Sequence, residues 1–298
     1  MAQETIEKRF NVPTPAVLKV NNISGSVDIG TGDEGVIHIR AVKNTHPEGG
    51  ETTQVEISQE ENGAVSVVTK YKDQYLGWVI GSEKVCDVDY VIKAPRKCSF
   101  VIHGVSDDVH MVGFEGELKL KNVSGDISLQ DITGSLSLDT VSGDISAVMI
   151  NGEGQIKSVS GDIDLQDAQL SSVHVTTVSG DVSLHTAILK GPYQFNTVSG
   201  DVQLLVPGDT HCNTELHSLS GKFFTNLPVS ESRRGIGSNS AKLQGGGVEV
   251  SLKSISGDLS VETISDIPQK LVVTPGEIIS KVERGEISVD EAVLQLKK

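Results

Sequence analysis

An aspartate directly follows a glycine at regular intervals through the middle of the chain, within repeats of the sequence Val-Ser-Gly-Asp. These aspartates are Asp126, Asp144, Asp162, Asp181 and Asp201. Carboxylate oxygens are ligands that hard cations prefer, so a row of them could bind Ca²⁺. The alternative is structural, because serine and aspartate accept hydrogen bonds from turn amides beside a glycine of unusual φ. One carboxylate per repeat is a small supply of ligands, which favours the structural alternative.

Other residue types that could do chemistry do not form a recognisable constellation. His211 lies beside Cys212, with His217 six residues later, but no cysteine or histidine pairs have zinc-site spacing. The sequence contains no nucleophile elbow, Walker loop or dinucleotide fingerprint. We therefore predict no catalytic residues, no cofactor and no bound metal. A polysaccharide lyase or hydrolase would need a cleft where carboxylates meet an arginine or lysine, and Arg233 and Arg234 mark the one segment to inspect.

The glycines that precede the aspartates define a sequence repeat. Gly125, Gly143, Gly161, Gly180 and Gly200 follow one another at intervals of 18 to 20 residues. A nine-residue half-period is visible where "VSGDISLQD" is followed by "ITGSLSLDT". A unit this short exposes one apolar face and becomes stable only when coils stack. The repeat predicts an all-β fold, a single-stranded parallel β-helix (β-solenoid) of about 18–21 residues per coil. An antiparallel meander folded into a sandwich is the alternative.

Alternation of apolar and polar residues predicts which side chains point into the solenoid. In the first complete coil the expected inward set is Val123, Ile127, Leu129, Ile132, Leu136 and Leu138. Eighteen residues later the same positions hold Val141, Ile145, Ala147, Ile150, Gly154 and Ile156. The valine of Val-Ser-Gly-Asp is thus expected inside.

The chain divides into three predicted regions: an N-terminal β region and solenoid cap at 1–104, solenoid repeats at 105–264, and a C-terminal helical hairpin at 265–298. A polar segment rich in glycine and serine, 229–247, is expected to be a loop insertion. Capping boxes at Thr274 and Ser288 predict the two helices. Helices this short need a partner for their apolar residues, so we expect a protein partner or self-association there. The interaction candidates are Ile278, Ile279, Val282, Val293 and Leu296.

Four of the few aromatic residues lie close together in sequence, at Tyr71, Tyr75, Trp78 and Tyr90. Such a cluster favours packing of the cap onto the first coil. An exposed patch that binds carbohydrate or protein by stacking is the alternative, with Trp78 as the interaction candidate.

Composition excludes some classes of function. The chain of 298 residues has 40 acidic and 25 basic residues, a net charge of -15, which opposes binding to nucleic acid or anionic lipid. No apolar run is long enough for a transmembrane segment. No signal peptide is visible, so we expect a cytoplasmic protein, with an envelope-associated or exported protein as the alternative. Three cysteines, an odd number, indicate reduced thiols.

The repeated "VSGDISL" and "VSGDVSL", the entry "FNVPTPAVLKVNNISGSVDI" and the close "GGGVEVSLKSISGDLSV" resemble the bacterial putative-adhesin family of β-strand-repeat proteins, a domain family of unknown function. The tail "GEIISKVERGEISVDEAVLQL" is similar to a SHOCT-like helical hairpin. This resemblance implies a non-enzymatic scaffold or interaction protein, linked to surface adhesion or cell-envelope stress, with possible envelope or carbohydrate contact. The alternatives are a polysaccharide-acting enzyme, and a regulatory protein that docks on a membrane sensor through its tail.

Overall fold

The computed structural model describes residues 2–45, 53–71, 86–188 and 190–264, and all regular elements in these ranges are strands. The first ten are β1 (Ala2–Asn11), β2 (Ala16–Asn21), β3 (Ser24–Thr31), β4 (Val36–Thr45), β5 (Thr53–Gln59), β6 (Val65–Tyr71), β7 (Val88–Ala94), β8 (Cys98–His103), β9 (Ser106–Glu115) and β10 (Leu118–Asn122). The remaining twelve are β11 (Ile127–Thr140), β12 (Ile145–Ser158), β13 (Ile163–Thr177), β14 (Val182–Thr186), β15 (Tyr193–Asn196), β16 (Val202–Val206), β17 (Cys212–Ser218), β18 (Phe223–Thr225), β19 (Val229–Gly235), β20 (Ser238–Leu243), β21 (Val248–Ser254) and β22 (Leu259–Thr263).

The repeats stack in parallel, as the period predicts. Ile127 pairs with Ile145, and Ile145 pairs with Ile163, so each coil lies directly on the equivalent residues of the previous one. All strand pairs among β8 to β16 are parallel, which rejects the antiparallel meander for this part of the chain. The fold is an all-β, solenoid-like stack.

Each coil has two long sides, which we call face A and face B. Face A contains β3, β9, the first parts of β11 to β13, β14, β16 and β22. Face B contains β2, β8, β10, the last parts of β11 to β13, β15 and β21. Residues before 105 therefore contribute coils to the same stack.

The core between the faces follows the expected alternation in the strands but not at the corner. Ile127, Leu129 and Leu138 are buried, as predicted. Val123 and Val141 are each 47% exposed, so their predicted inward position was wrong. The pleat continues in strict alternation from Leu138, which turns Thr140 inward and Val141 outward. Thr140 is accommodated inside because its hydroxyl donates to the Ser142 carbonyl at 3.3 Å.

The order of coils in space departs from the order in sequence at both ends. β21 lies between β15 and β17, and β22 lies between β16 and β18. The last coil of the chain is therefore second from the end of the stack. At the other end β2 lies between β6 and β8, and β3 lies between β7 and β9. Each terminal coil is held between two others.

Antiparallel strands continue the sheets at both ends. β4 pairs with β7, β1 pairs with β4, and β5 pairs with β6. At the far end β20 pairs with β17, and β19 pairs with β20. The prediction of a loop at 229–247 was therefore wrong, because most of this segment forms a hairpin. Buried Ala241 and Leu243 anchor it, and it covers the edge of β17, which would otherwise invite aggregation.

The three cysteines, Cys86, Cys98 and Cys212, are buried. Burial raises the pKa of the Cys98 thiol to about 12 and that of Cys212 to about 11, so both thiols are neutral at physiological pH. Among the described residues no helix is long and apolar enough to cross a membrane. The predicted helical hairpin, with Ile278, Ile279, Val282, Val293 and Leu296, lies outside the described residues, as does Trp78.

Candidate ligand-binding groove

An open groove lies on the outer side of face B, where that face runs into the β19–β20 hairpin. Its cavity volume is about 460 Å³. Five strands contribute to it: β15, β17, β19, β20 and β21. The charged and amide side chains that line it are Gln194, Asn213, Glu215, His217, Glu231, Arg233, Lys242, Glu249 and Lys253. We call this the hairpin groove.

Strand register places these polar side chains in rows. Thr214 and Leu216 of β17 point inward, so Glu215 and His217 point outward. Across the sheet Glu215 pairs with Ser251 on one side and Ser240 on the other, and Ser240 pairs with Arg233. A second row runs from Glu249 through Asn213 and Lys242 to Glu231. A ligand lying across the strands would meet one row at a time.

Acidic and basic groups are paired within the hairpin groove. Lys242 Nζ lies 2.9 Å from Glu231 Oε2, and His217 Nε2 lies 2.8 Å from Glu215 Oε1. The hydrogen bond and charge of Lys242, with a smaller contribution from Arg233, lower the pKa of Glu231. Glu231 is therefore ionised at neutral pH, which suits hydrogen bonding to a ligand but not general-acid catalysis. Arg233 and Lys253 make no ion pair with the described residues.

The hairpin groove continues along face B. A second depression, of about 440 Å³, shares Gln194 with it and is lined by Lys119, Ser137, Gln155 and His174. These residues form a single row, because each pairs with the next across the parallel strands. Hydrogen-bonding side chains thus extend over several coils.

A polysaccharide lyase or hydrolase would need a cleft near Arg233 where carboxylates meet basic side chains. The hairpin groove is such a cleft. Arg234 does not line it. Sequence reasoning missed Glu215, Lys242 and Lys253. Only the strand order at this end brings β17, β20 and β21 together, and the alternation of polar residues in β17 and β21 is the sole sequence signal that their side chains point outward.

The regularly spaced aspartates form a separate row on face A. The carboxylate of each accepts a hydrogen bond from the backbone amide of the aspartate one coil further along the stack, at 2.8 to 2.9 Å. The row begins at Asp108 and continues through Asp126, Asp144, Asp162, Asp181, Asp201 and Asp258. It ends at the amide of Lys222, which bonds to Asp258 at 2.7 Å. One oxygen of each carboxylate thus has a structural partner.

A different aspartate, Asp107, stands where the other coils have glycine. It pairs with Gly25, its side chain is fully buried, and Asn22 Nδ2 donates to its Oδ1 at 2.7 Å. Burial raises its pKa to about 6. Asn22 also accepts from the Thr69 hydroxyl at 2.8 Å, so the network connects β6 to the first regular coils. On the other side Asn122 Oδ1 is buried and has no hydrogen-bond partner among the described residues.

The remaining candidates are distributed elsewhere. Tyr90 is buried and its hydroxyl lies 2.7 Å from the Thr69 hydroxyl, so it packs in the core. Tyr75 and Trp78 lie outside the described residues. Cys212 is buried, whereas His211 is exposed. Within the described ranges no three His, Cys, Asp or Glu side chains have the geometry of a metal site.

The profile of the Toastrack DUF4097 family matches residues 17–262. No curated protein matches the sequence. Among solved structures, a putative adhesin from Bacteroides fragilis NCTC 9343 is 13% identical, with a TM-score of 0.46, covering 88% of this chain and 97% of that one. A putative cell adhesion protein from Clostridium sporogenes ATCC 15579 is 12% identical, with a TM-score of 0.27, covering 87% and 100%. A putative lipid binding protein from Parabacteroides distasonis ATCC 8503 is 13% identical, with a TM-score of 0.31, covering 88% and 97%. These similarities transfer no ligand or partner to this chain.

Proposed function

The chain belongs to the Toastrack DUF4097 family, and from that premise we propose that it is a non-enzymatic scaffold that binds an extended, hydroxyl-rich ligand, a polysaccharide chain, along face B. The observation that carries this proposal is the continuous run of outward amide, hydroxyl and charged side chains from Lys119 to the hairpin groove. Charged and amide groups make the strong hydrogen bonds that sugar hydroxyls accept and donate. Face B supplies such groups on successive coils.

The shape of the hairpin groove favours binding of a chain over enclosure of a small molecule. Its rows run across several strands, and it opens into the neighbouring depression through Gln194. The described residues that line the two depressions include no Phe, Tyr or Trp, so stacking on large rings is absent and many weak polar contacts must supply the affinity. A polymer that spans several coils satisfies this requirement better than a monosaccharide. This function implies contact with the cell envelope, the alternative to a cytoplasmic location, which fractionation of cells would test.

A polysaccharide lyase or hydrolase is the second candidate. The specific observation in its favour is the meeting of Glu215 and Glu231 with Arg233 and Lys242 in the hairpin groove. Against it, a glycosidase needs one carboxylic acid that is still protonated at working pH. The pKa of Glu231 is lowered instead of raised.

The two candidates differ in what happens to the polymer. We would measure binding of chitohexaose, cellohexaose and dextran by calorimetry, and follow the chain length of each by gel filtration after long incubation. We expect binding without shortening. Arg233→Ser combined with Lys253→Ser should weaken binding, whereas Arg234→Ser, on the same strand but outside the groove, should not. Shortened chains would establish the enzyme, and no binding of any probe would reject the polysaccharide ligand.

A further inference from the structure

A row of exposed aliphatic side chains runs along the corner that joins face B to face A. In seven coils the residue before the serine of the corner is valine or isoleucine, and each of these side chains is 43% to 54% exposed. We call these residues the valine row: Val105, Val123, Val141, Val159, Val178, Val198 and Ile255. At about 4.8 Å between adjacent strands, the valine row is about 30 Å long.

The backbone holds the valine row straight and rigid. The carbonyl of each valine accepts a hydrogen bond from the corner serine of the next coil, at 2.7 to 3.0 Å. Parallel bridges between successive serines confirm the register through the corner. The side chains are therefore presented at a fixed spacing before any partner arrives, which lowers the entropic cost of binding.

Core packing does not explain the apolar character of the valine row. Two residues earlier, the outward position varies among polar types in the same coils, as His103, Lys121, Asp139, Lys157, Thr176, Asn196 and Lys253. The inward position between them is polar in several coils, for example at Asn122, Thr140 and Ser158. In these seven coils an aliphatic residue is thus present at a corner position that faces outward. Contiguous exposed apolar surface of this kind marks an interaction site.

Charges of opposite sign flank the two sides of the valine row. On the face B side the charged residues at this position are Lys121, Asp139, Lys157 and Lys253, which leaves a net positive flank. Lys121 lies 4.0 Å from Asp139, whereas Lys157 and Lys253 make no ion pair with the described residues. On the face A side, three residues after each valine, lies the row of aspartates from Asp108 to Asp258. A matching surface must offer apolar groups at the spacing of β-strands, with the opposite order of charges. A second copy of this chain has both properties.

We propose that two copies of this chain associate through their valine rows, about a two-fold axis parallel to the rows. A two-fold interface brings the same patch of each copy together. With the axis parallel to the rows, the lysine side of each copy faces the aspartate side of its partner. With the axis perpendicular to the rows, lysines face lysines and aspartates face aspartates. The flanking charges therefore select parallel solenoids. The aspartates and the net charge of -15 disfavour an anionic lipid surface as the occupant.

Sedimentation velocity of the full chain at increasing concentration tests the association. We expect a monomer–dimer equilibrium, with a dissociation constant raised at least tenfold in the triple variant Val123→Ser, Val141→Ser, Val159→Ser. Ile236→Ser, at the fully exposed tip of the β19–β20 hairpin, is the matched control and should leave the constant unchanged. The reversal Lys121→Glu with Lys157→Glu, which leaves the apolar residues intact, should also weaken the dimer. Melting curves of each variant show that it is folded.

Cysteine cross-linking tests the orientation. In parallel solenoids each residue of the valine row lies beside its own counterpart, so Val105→Cys and Ile255→Cys should each form a disulfide-linked dimer under mild oxidation. In antiparallel solenoids neither would. The native cysteines are buried and do not compete. A chain that stays monomeric at its highest soluble concentration, or a dimer that the triple variant leaves unchanged, would overturn the proposal, and failure of polysaccharide binding would not bear on it.

Discussion

The middle of the stack and its two ends are built from similar coils but by different rules. Between β8 and β16 the order of coils in space is the order in sequence, and the pairing is parallel throughout. At each end, the coil that comes last or first in the sequence is inserted between two other coils. Antiparallel strands then continue the sheets. The middle shows what the repeat alone specifies. The ends show what a finite stack adds, and the hairpin groove lies at one of them.

We expect the two regions to differ most in how much free energy of unfolding is lost when a glycine is replaced by alanine. Gly143 in the middle has φ +117°, and a Cβ atom there would lie 2.2 Å from the Gly125 carbonyl oxygen. Gly245 at the end of the hairpin also has positive φ, +89°, but a Cβ atom would meet nothing within 4 Å. We expect Gly143→Ala to lower the free energy of unfolding by about 3 kcal/mol or more, and Gly245→Ala by about 1 kcal/mol.

Urea denaturation of both variants measures this difference. Because both glycines have positive φ, the pair separates backbone strain from the close approach of neighbouring coils. Equal losses would mean that the middle tolerates a shift between coils, and that stacking is less tightly constrained than the hydrogen bonds suggest.

The second prediction concerns Asp107, where the regular coils meet the N-terminal end. Its pKa is raised from 3.8 to about 6 in the folded protein. The folded state therefore binds this proton more tightly than the unfolded state. The resulting stabilisation is fully present below pH 3.8 and is lost as the pH rises through 6. At pH 8 the buried carboxylate is charged, and this costs on the order of 3 kcal/mol.

Asp107→Asn should remove that cost. We expect the variant to melt at a higher temperature than the wild type at pH 8, and the advantage to shrink towards pH 4. Asn22→Ala is the informative companion, because it deletes the donor to Asp107 and should destabilise most when Asp107 is ionised. A pH-independent difference between wild type and Asp107→Asn would contradict the assignment.

The middle of the fold was predictable from the sequence, and the ends were not. The period of 18 residues requires Ile127, Ile145 and Ile163 to stack, and they do. The predicted inward position of Val123 is wrong because the alternation of the pleat, and not side-chain hydrophobicity, decides which way a corner residue points. The order of coils at the ends could not be read, since Gly221 and Gly257 carry equivalent corners and either could stack on Gly200. The structure places Gly257 there.

This exchange also explains why the hairpin groove was only partly anticipated. Arg233 is a candidate from the sequence because Arg233 and Arg234 are adjacent basic residues in a chain with a net charge of -15. Glu215 and Lys253 are 38 residues apart in sequence, and they come together only because β21 is inserted beside β17. Alternation shows that such side chains point outward, but it does not show which strand lies next to which.

The smallest expected effects concern the row of aspartates, which runs from the middle to the end. Asp144 has an aspartate on each side, whereas Asp258 has Asp201 on one side and Lys222 on the other. Asp144→Ala removes the acceptor of one amide and should cost about 1 kcal/mol. Asp144→Asn keeps an acceptor and relieves like-charge repulsion, so it should raise the melting temperature slightly at low salt. Asp258→Asn should raise it less, because Asp258 has only one aspartate neighbour in the row, and its other partner is the backbone amide of Lys222. High salt should erase both differences.

Millimolar Ca²⁺ should not raise the wild-type melting temperature, and a rise that Asp144→Asn abolishes would instead establish the aspartates as cation ligands.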